Sequence, residues 1–128
     1  NLIAMEYHLI VHNKLAYYML NEQINVVDIA EKKLVCFIEL EEPMKLQKDE
    51  CLTTFSFHNN TFFFCIYPED SDEYTDVAAV KIDLTEKSAN LLWRKHFDDC
   101  ALETGSLIAP LYHNGILWVF FPPGRCVL

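Results

Sequence analysis

Acidic side chains are the residues of this sequence whose types and spacing could do chemistry. The chain holds 19 Asp and Glu against 10 Lys and Arg, which gives a net charge of -9. Many of the acids fall in the stretch 68–76, and two more follow Phe97. Grouped carboxylates could simply be solvated, attract a basic partner or hold a hard cation such as calcium. The candidate partner-binding residues are Glu69, Asp70, Asp72, Glu73, Asp76, Asp98 and Asp99.

The sequence favours a protein partner over a metal ion or a cofactor. Asp70-Ser71-Asp72 lacks the glycine and the distal glutamate of an EF-hand loop. The five cysteines include no C-x-x-C spacing of the kind found in zinc sites. The three glycines are too dispersed for a phosphate-binding loop. We therefore predict no metal site and no cofactor.

Cysteine-histidine catalysis is not expected either. Cys51 and Cys65 fall on adjacent predicted strands, but the turn between the strands would place Thr54 opposite Cys65. Nothing in the sequence sets a histidine beside either thiol, as a cysteine nucleophile requires. We predict that the chain is not an enzyme.

Composition excludes two further classes of partner. A net charge of -9 is unfavourable for binding a phosphate backbone, so nucleic acid is not expected. The longest apolar runs, such as 62–67 and 116–121, are far shorter than the roughly 18 residues of a membrane span. The odd number of cysteines and the lack of a recognisable signal peptide favour reduced thiols and a cytoplasmic protein.

The elements that must position the acids are short strands joined by tight turns. The most complete unit, 51–97, contains predicted strands at 51–58, 61–67, 77–84 and 90–97. The pair Asn59-Asn60 joins the first two strands as a hairpin. An acidic loop, 68–76, precedes the third strand. Four antiparallel strands in a meander follow from this pattern.

Parts of this unit recur on both sides of it. Three turns share a signature, His12-Asn13, His58-Asn59 and His113-Asn114, at spacings of 46 and 55 residues. A second marker occurs twice, as Val27-Asp28-Ile29 and Ile82-Asp83-Leu84. From His to Asp is 16 residues in the first unit and 25 in the second, so the nine-residue acidic loop accounts for the difference. An insertion in one surface loop of a repeated scaffold is the simplest explanation.

Both faces of the central hairpin are apolar. The turn would pair Phe57 with Phe62 and Phe55 with Phe64 on one face, while Phe63 occupies the other. A strand in a sheet with one solvent-exposed face should alternate apolar and polar residues. A sheet stacked between two others is covered on both faces, and its strands can be apolar on both. Four strands per unit and a period of about 45 to 55 residues are typical of propeller blades.

The repeated pattern resembles kelch-type propeller repeats. The similarity lies in a His-Asn turn, an aromatic strand such as 116–121, and a Val-x-x-Asp-Leu strand at 80–84 that precedes a strand with Trp93. The paired glycines that end the second kelch strand are missing, and Leu20-Asn21, Tyr67-Pro68 and Phe121-Pro122 stand there instead. Quinoprotein-like propeller repeats are nearly as similar.

We therefore predict an all-β fold, a partial β-propeller of four-stranded antiparallel blades. Residues 1–128 would form one propeller segment, with a blade at 1–42, a blade at 51–97 carrying the inserted loop 68–76, and a partial blade at 107–128. Closed propellers have at least four blades, so the chain would be part of a larger propeller or associate with another chain. A self-contained β-sandwich or barrel is the alternative.

The predicted function is that of a protein-interaction scaffold that binds through an acidic rim. In a propeller, the acidic loop and the connections between blades lie on one rim, and that rim would carry 12 of the 19 acids but only 2 of the 10 basic residues. The expected partners are a basic protein and further propeller blades or a second copy. The alternative is part of a propeller enzyme, quinoprotein-like or a hydrolase, whose active site lies in other blades.

Overall fold

Every strand that the structure describes pairs with antiparallel neighbours. A computed structural model describes residues 9–53, 55–69, 74–98, 110–121 and 125–127. The strands are β1 Leu9–His12, β2 Leu15–Leu20, β3 Gln23–Asp28, β4 Lys33–Glu39, β5 Glu50–Leu52, β6 Ser56–His58, β7 Thr61–Pro68, β8 Tyr74–Asp83, β9 Ser88–Asp98, β10 Leu111–His113, β11 Ile116–Phe121 and β12 Arg125–Val127.

Three sheets follow one another along the chain. The first sheet has the order β1-β2-β3-β4, the second β5-β7-β8-β9 with β6 also paired to β7, and the third β10-β11-β12. Each sheet is a meander, so the predicted all-β class and antiparallel pairing are confirmed. The described strands do not close into a barrel. No helix in the described ranges is long and apolar enough to cross a membrane.

The sheets stack in the order in which the chain forms them. The largest apolar cluster joins Tyr17 and Ile24 of the first sheet to Phe62, Phe64 and other residues of the second. A smaller cluster joins the opposite face of the second sheet, at Cys65, to Val119 of the third. The second sheet is therefore covered on both faces, as its sequence predicts. This layering is that of a partial propeller or a sandwich.

The three His-Asn turns adopt one backbone conformation. Both central residues have positive φ in each turn, 52° and 66° at Asn13-Lys14, 50° and 59° at Asn59-Asn60, and 49° and 81° at Asn114-Gly115. Positive φ at both positions defines the type I′ turn, whose twist matches that of the paired strands. The hairpin prediction is confirmed at all three places.

The repeated aspartates close a second kind of turn. The Oδ1 of Asp28 accepts a hydrogen bond of 3.0 Å from the Glu31 amide. The Oδ1 of Asp83 accepts from the amides of Thr85 and Glu86, at 2.9 and 3.1 Å. A short acidic side chain that binds the backbone two or three residues onward holds the turn in place. This explains why the Asp recurs at the end of the third strand of both units.

Two predicted boundaries are wrong. The predicted strand 51–58 is interrupted, because β5 and β6 pair with β7 in registers that differ by one residue. The predicted loop 68–76 is shorter, because β7 continues to Pro68 and β8 begins at Tyr74. The inserted residues largely lengthen two strands, since β7 and β8 have 8 and 10 residues where β2 and β3 have 6 each.

Candidate binding edge and the charged cluster beneath it

Three exposed acids lie at one end of the second sheet. Glu69 directly follows β7, and its amide donates a 2.8 Å hydrogen bond to the carbonyl oxygen of Asp49, just before β5. Asp98 ends β9 opposite Tyr74, and its side chain is 80% exposed. We call Asp49, Glu69 and Asp98 the acidic edge. The connection between the first two sheets and the end of β7 therefore meet on one rim, as expected.

Asp76, predicted to lie in the acidic loop, is instead a buried residue of β8. Its Oδ2 accepts a 2.6 Å hydrogen bond from Arg94 Nε. Its Oδ1 lies 2.6 Å from His96 Nδ1. Since both carboxylate oxygens already have partners inside the fold, Asp76 is not part of the acidic edge. The cause is the length of β8, which takes Asp76 out of the loop and turns it toward the first sheet.

The other candidate partner-binding residues have different positions. Glu69 is exposed, and Asp98 is exposed while contacting His96. The remaining candidates, Asp70, Asp72, Glu73 and Asp99, lie outside the described residues.

Arg94 lies at the centre of a charged cluster beneath the edge. Its Nη2 donates to Glu50 Oε2 at 2.9 Å, while its Nε binds Asp76. Its Nη1 donates to the carbonyl oxygens of Met44 and Lys45, at 3.0 and 3.4 Å. One guanidinium thus connects β5, β8, β9 and the connection between the first two sheets. The planar, five-donor geometry of arginine suits such a site, which a lysine could not fill in the same way.

The carboxylate of Glu50 is held in its charged form inside this cluster. Burial by itself would raise the pKa of Glu50, but hydrogen bonds from the Gln47 amide, Tyr74 and Arg94 outweigh it and lower the pKa. The Gln47 amide donates to Glu50 Oε1 at 2.9 Å, and the Tyr74 hydroxyl donates to Oε2 at 2.5 Å. The hydrogen bond to Glu50 is the main reason why the pKa of Tyr74 rises to about 12. The cluster is therefore saturated with internal partners.

His96 forms the outer side of the cluster, between two carboxylates. Its Nε2 lies 2.7 Å from Asp98 Oδ1, and its Nδ1 faces Asp76. These two carboxylates, Asp98 first, raise the pKa of His96. Because both ring nitrogens must be protonated to donate to two acceptors, the arrangement favours the imidazolium form. A base held in this form is a poor proton acceptor, so the geometry suits charge pairing.

Sequence reasoning missed this cluster, although a signal for it exists. Arg94, His96 and Asp98 alternate along β9 and therefore share one face of the strand. Asp76 lies directly opposite His96 in the ladder. A cationic residue facing an acid across two strands is a recognisable pair, but only if the register of β8 against β9 is known. Glu50 and the carbonyl groups of the connection carry no such signal.

The two buried thiols, Cys36 and Cys65, are structural rather than reactive. Burial raises the pKa of Cys65 to about 12 and also raises the pKa of Cys36. A raised pKa suppresses the thiolate that acts as a nucleophile. Cys36 and Cys65 are both buried, and Cys51 is partly buried.

The residue opposite Cys65 differs from the prediction. Thr53, not Thr54, has this position, because its amide donates to the Cys65 carbonyl oxygen at 3.0 Å. The Cys65 amide in turn donates to Thr53 Oγ1 at 3.0 Å. The one-residue change of register between β5 and β6 is the cause.

The described side chains offer no group of three or more His, Cys, Asp or Glu residues placed to hold a metal ion. Comparisons of the chain with protein-family models, with curated proteins and with solved structures found no match. The geometry of the molecule itself therefore carries the functional proposal.

Proposed function

We propose that this chain is a segment of a kelch-like β-propeller that acts as a protein-interaction scaffold and binds a basic partner through its acidic edge. The observation that carries the proposal is the separation of two kinds of acid at one end of the second sheet. Glu50 and Asp76 are buried and ion-paired, Asp49 and Glu69 are exposed, and Asp98 is exposed while paired with His96.

The ion pairs that the nearby cations make support a net negative surface at the acidic edge. The described ion pairs all involve Arg94 or His96, and three of the four go to Glu50 or Asp76. Arg94 is therefore used inside the fold and does not neutralise Asp49 or Glu69. The next residues in the sequence, 70–73, add three more acids directly after Glu69. An area of one charge sign steers and binds partners of the opposite sign.

The framework under the edge supports a scaffold. The Glu69 amide bonds to Asp49, and Asp49 directly precedes the Glu50 that Arg94 holds. Asp98 contacts His96, which contacts Asp76. Asp49 is thus one step from a buried carboxylate, and Glu69 and Asp98 are each two steps from one. Functional side chains on such a preorganised support lose little entropy when a partner binds.

The test compares two charge-matched double variants. E69S/D72S removes Glu69 of the acidic edge and the acid three positions after it in the sequence, and E31S/E86S removes two acids from the turns at the opposite end of the sheets, where Glu31 and Glu86 are both exposed. The probe is a lysine-rich peptide, titrated at low and high salt. We expect E69S/D72S to weaken binding about fivefold to tenfold at low salt and E31S/E86S to change it less than twofold.

Two results would count against the proposal. Equal weakening by both variants would show that the peptide responds only to total charge, and unchanged binding of E69S/D72S would remove the edge as the site. Circular dichroism of both variants is compared with that of the parent chain, and a match is expected at the exposed positions Glu31, Glu69 and Glu86.

A further inference from the structure

The two interfaces between sheets use the same aromatic contact. At the first interface, Phe57 of β6 stacks on Tyr17 of β2, with ring centroids 5.4 Å apart and planes inclined by 25°. At the second, Tyr112 of β10 stacks on Phe63 of β7, at 5.6 Å and 9°. In each case a ring from the later sheet lies on a ring of the preceding sheet.

The repeated turns place these rings at equivalent positions. Phe57 and Tyr112 each directly precede the histidine of a His-Asn turn, and Tyr17 and Phe63 each follow such a histidine by five residues. The contact therefore belongs to the repeat and not to one pair of sheets.

A histidine completes the contact at both interfaces. The His12 ring lies 5.4 Å from the Phe57 ring, and the His58 ring lies 4.1 Å from the Tyr112 ring. Each sheet thus offers two rings, a turn histidine and an aromatic residue on the following strand. The next sheet supplies one ring that touches both. Offset or stacked aromatic pairs of this kind stabilise an interface beyond the area that they bury.

The third sheet carries the same two groups. His113 is its turn histidine, and Trp118 follows it by five residues on β11. His113 is exposed and Trp118 is half-buried. Among the side chains that the structure describes, no aromatic ring of another sheet contacts His113 or Trp118, whereas His12, Tyr17, His58 and Phe63 each contact a ring of the following sheet.

The first sheet shows what the incoming surface looks like. Val11 has the position of Phe57 and Tyr112, directly before a turn histidine, and it pairs with Ala16 as Phe57 pairs with Phe62. Val11 is 59% exposed, on the face of the first sheet that points away from the second. By its position in the repeat, this face corresponds to the faces from which Phe57 and Tyr112 contact a preceding sheet, but it lacks the aromatic ring.

We propose that His113 and Trp118 form an open docking site for a further β-sheet of the same repeat, which inserts an aromatic side chain from the position before its own turn histidine. The occupant is an aromatic-bearing antiparallel sheet. It continues the stacking that already joins the first sheet to the second and the second to the third. This proposal rests on the part of the proposed function that makes the chain a segment of stacked repeated sheets, and it is independent of the acidic edge.

The test supplies the missing ring on a second copy of the full chain. V11Y places an aromatic residue at the docking position of the first sheet, and the association of V11Y with itself is measured by sedimentation equilibrium and light scattering. L9Y is the matched control, because Leu9 lies on the same strand and the same face and is 54% exposed, but is not the repeat position. We expect V11Y to self-associate about fivefold to tenfold more tightly than the parent chain, and L9Y less than twofold.

Removing the receiving rings should cancel the gain. V11Y/H113A tests the exposed histidine with little risk to folding, and V11Y/W118L tests the larger ring while keeping an apolar side chain in the sheet. Both are expected to return association to within twofold of the parent level. Equal gains for V11Y and L9Y, no gain for V11Y, or a gain that survives both second substitutions would each overturn the proposal.

Discussion

The two ends of the interface between the first and second sheets are held together by different interactions. At the end near the His-Asn turns, Tyr17, Phe57 and Phe62 form a ring cluster with centroid distances of 4.8 to 5.8 Å. At the other end, Arg94 ties the chain together through two buried carboxylates. Both groups lie on the face of the second sheet that meets the first.

The two ends differ in what they require of the sequence. Hydrophobic burial is non-directional and depends mainly on the apolar area removed from water, so any ring of similar size at the repeat position can serve. The charged end depends on each donor finding its own acceptor, because an unpaired buried charge is costly. The aromatic end therefore recurs from sheet to sheet, whereas the charged end occurs once in the described chain, where the inserted residues reach it.

The largest expected effect comes from the aromatic end. Phe62 is completely buried and contacts four other rings, those of Tyr17, Phe55, Phe57 and Phe64. Phe62→Ala should lower the free energy of unfolding by about 4 kcal/mol, since it removes a whole side chain and leaves a cavity. Urea unfolding measures the loss. Phe62→Leu, which keeps most of the volume, should lose less than half as much, and equal losses would contradict the packing account.

The charged end should give the next largest effect. Arg94→Met keeps the length of the side chain but leaves Glu50 and Asp76 buried without their cation, and should cost about 3 kcal/mol of unfolding free energy. The triple variant R94M/E50Q/D76N removes the charges together and should recover a large part of that loss. Urea unfolding of the single and the triple variant decides whether Arg94 stabilises the fold through its charge or through its shape. A triple variant less stable than the single variant would show that shape, not charge, is what Arg94 supplies.

A smaller effect is expected at the change of register. Thr53→Val is nearly the same shape but leaves the buried Cys65 amide without the hydroxyl oxygen that it donates to, which should cost about 1 to 2 kcal/mol. Thr61→Val is the control, because its hydroxyl makes only an exposed 3.3 Å contact with the Asn59 carbonyl. Thermal or urea unfolding of both variants checks the difference. Equal losses would mean that the hydroxyl at position 53 has no special role.

The smallest effect is a pH dependence at His96. Because its pKa is raised above 6.5 in the folded chain, its stabilising contribution is complete below pH 6.5 and is lost as the pH rises through the folded value. The stability of the parent chain relative to H96Q should therefore be greatest near about pH 5.5 and decline by about pH 8.5. Urea unfolding at both values measures the difference. A relative stability that rises with pH would contradict the imidazolium assignment.

Repeated local signals predicted a large part of the fold. The three His-Asn turns, including the one with Asn114-Gly115, require two consecutive residues with positive φ. These residue types tolerate positive φ, so the hairpins could be predicted directly from the sequence. The pairing of Phe57 with Phe62 followed from the turn alone and is confirmed. The apolar character of both hairpin faces likewise indicated the two-sided burial of β7, where Phe62 to Ile66 are all buried.

The candidate site was predicted less well, and Asp76 shows why. In the sequence it is one of five acids in a polar stretch, and nothing local separates it from Glu69. In the structure one is buried against Arg94 and the other is exposed. The outcome depends on where β8 begins, which is decided by its ten-residue ladder with β9 and not by the residues of the loop.

By itself, the sequence determined the turns, the antiparallel hairpins and the aromatic positions that recur from sheet to sheet. These features depend on φ preferences and on a two-residue alternation, both of which act between near neighbours in the chain. Only the tertiary structure decided which acids are buried, which threonine faces Cys65, and that Arg94 contacts carbonyl groups 49 and 50 residues away. Such contacts form only after the sheets have stacked. A buried charge without a partner is unfavourable, so each one needs a specific partner that is distant in the sequence.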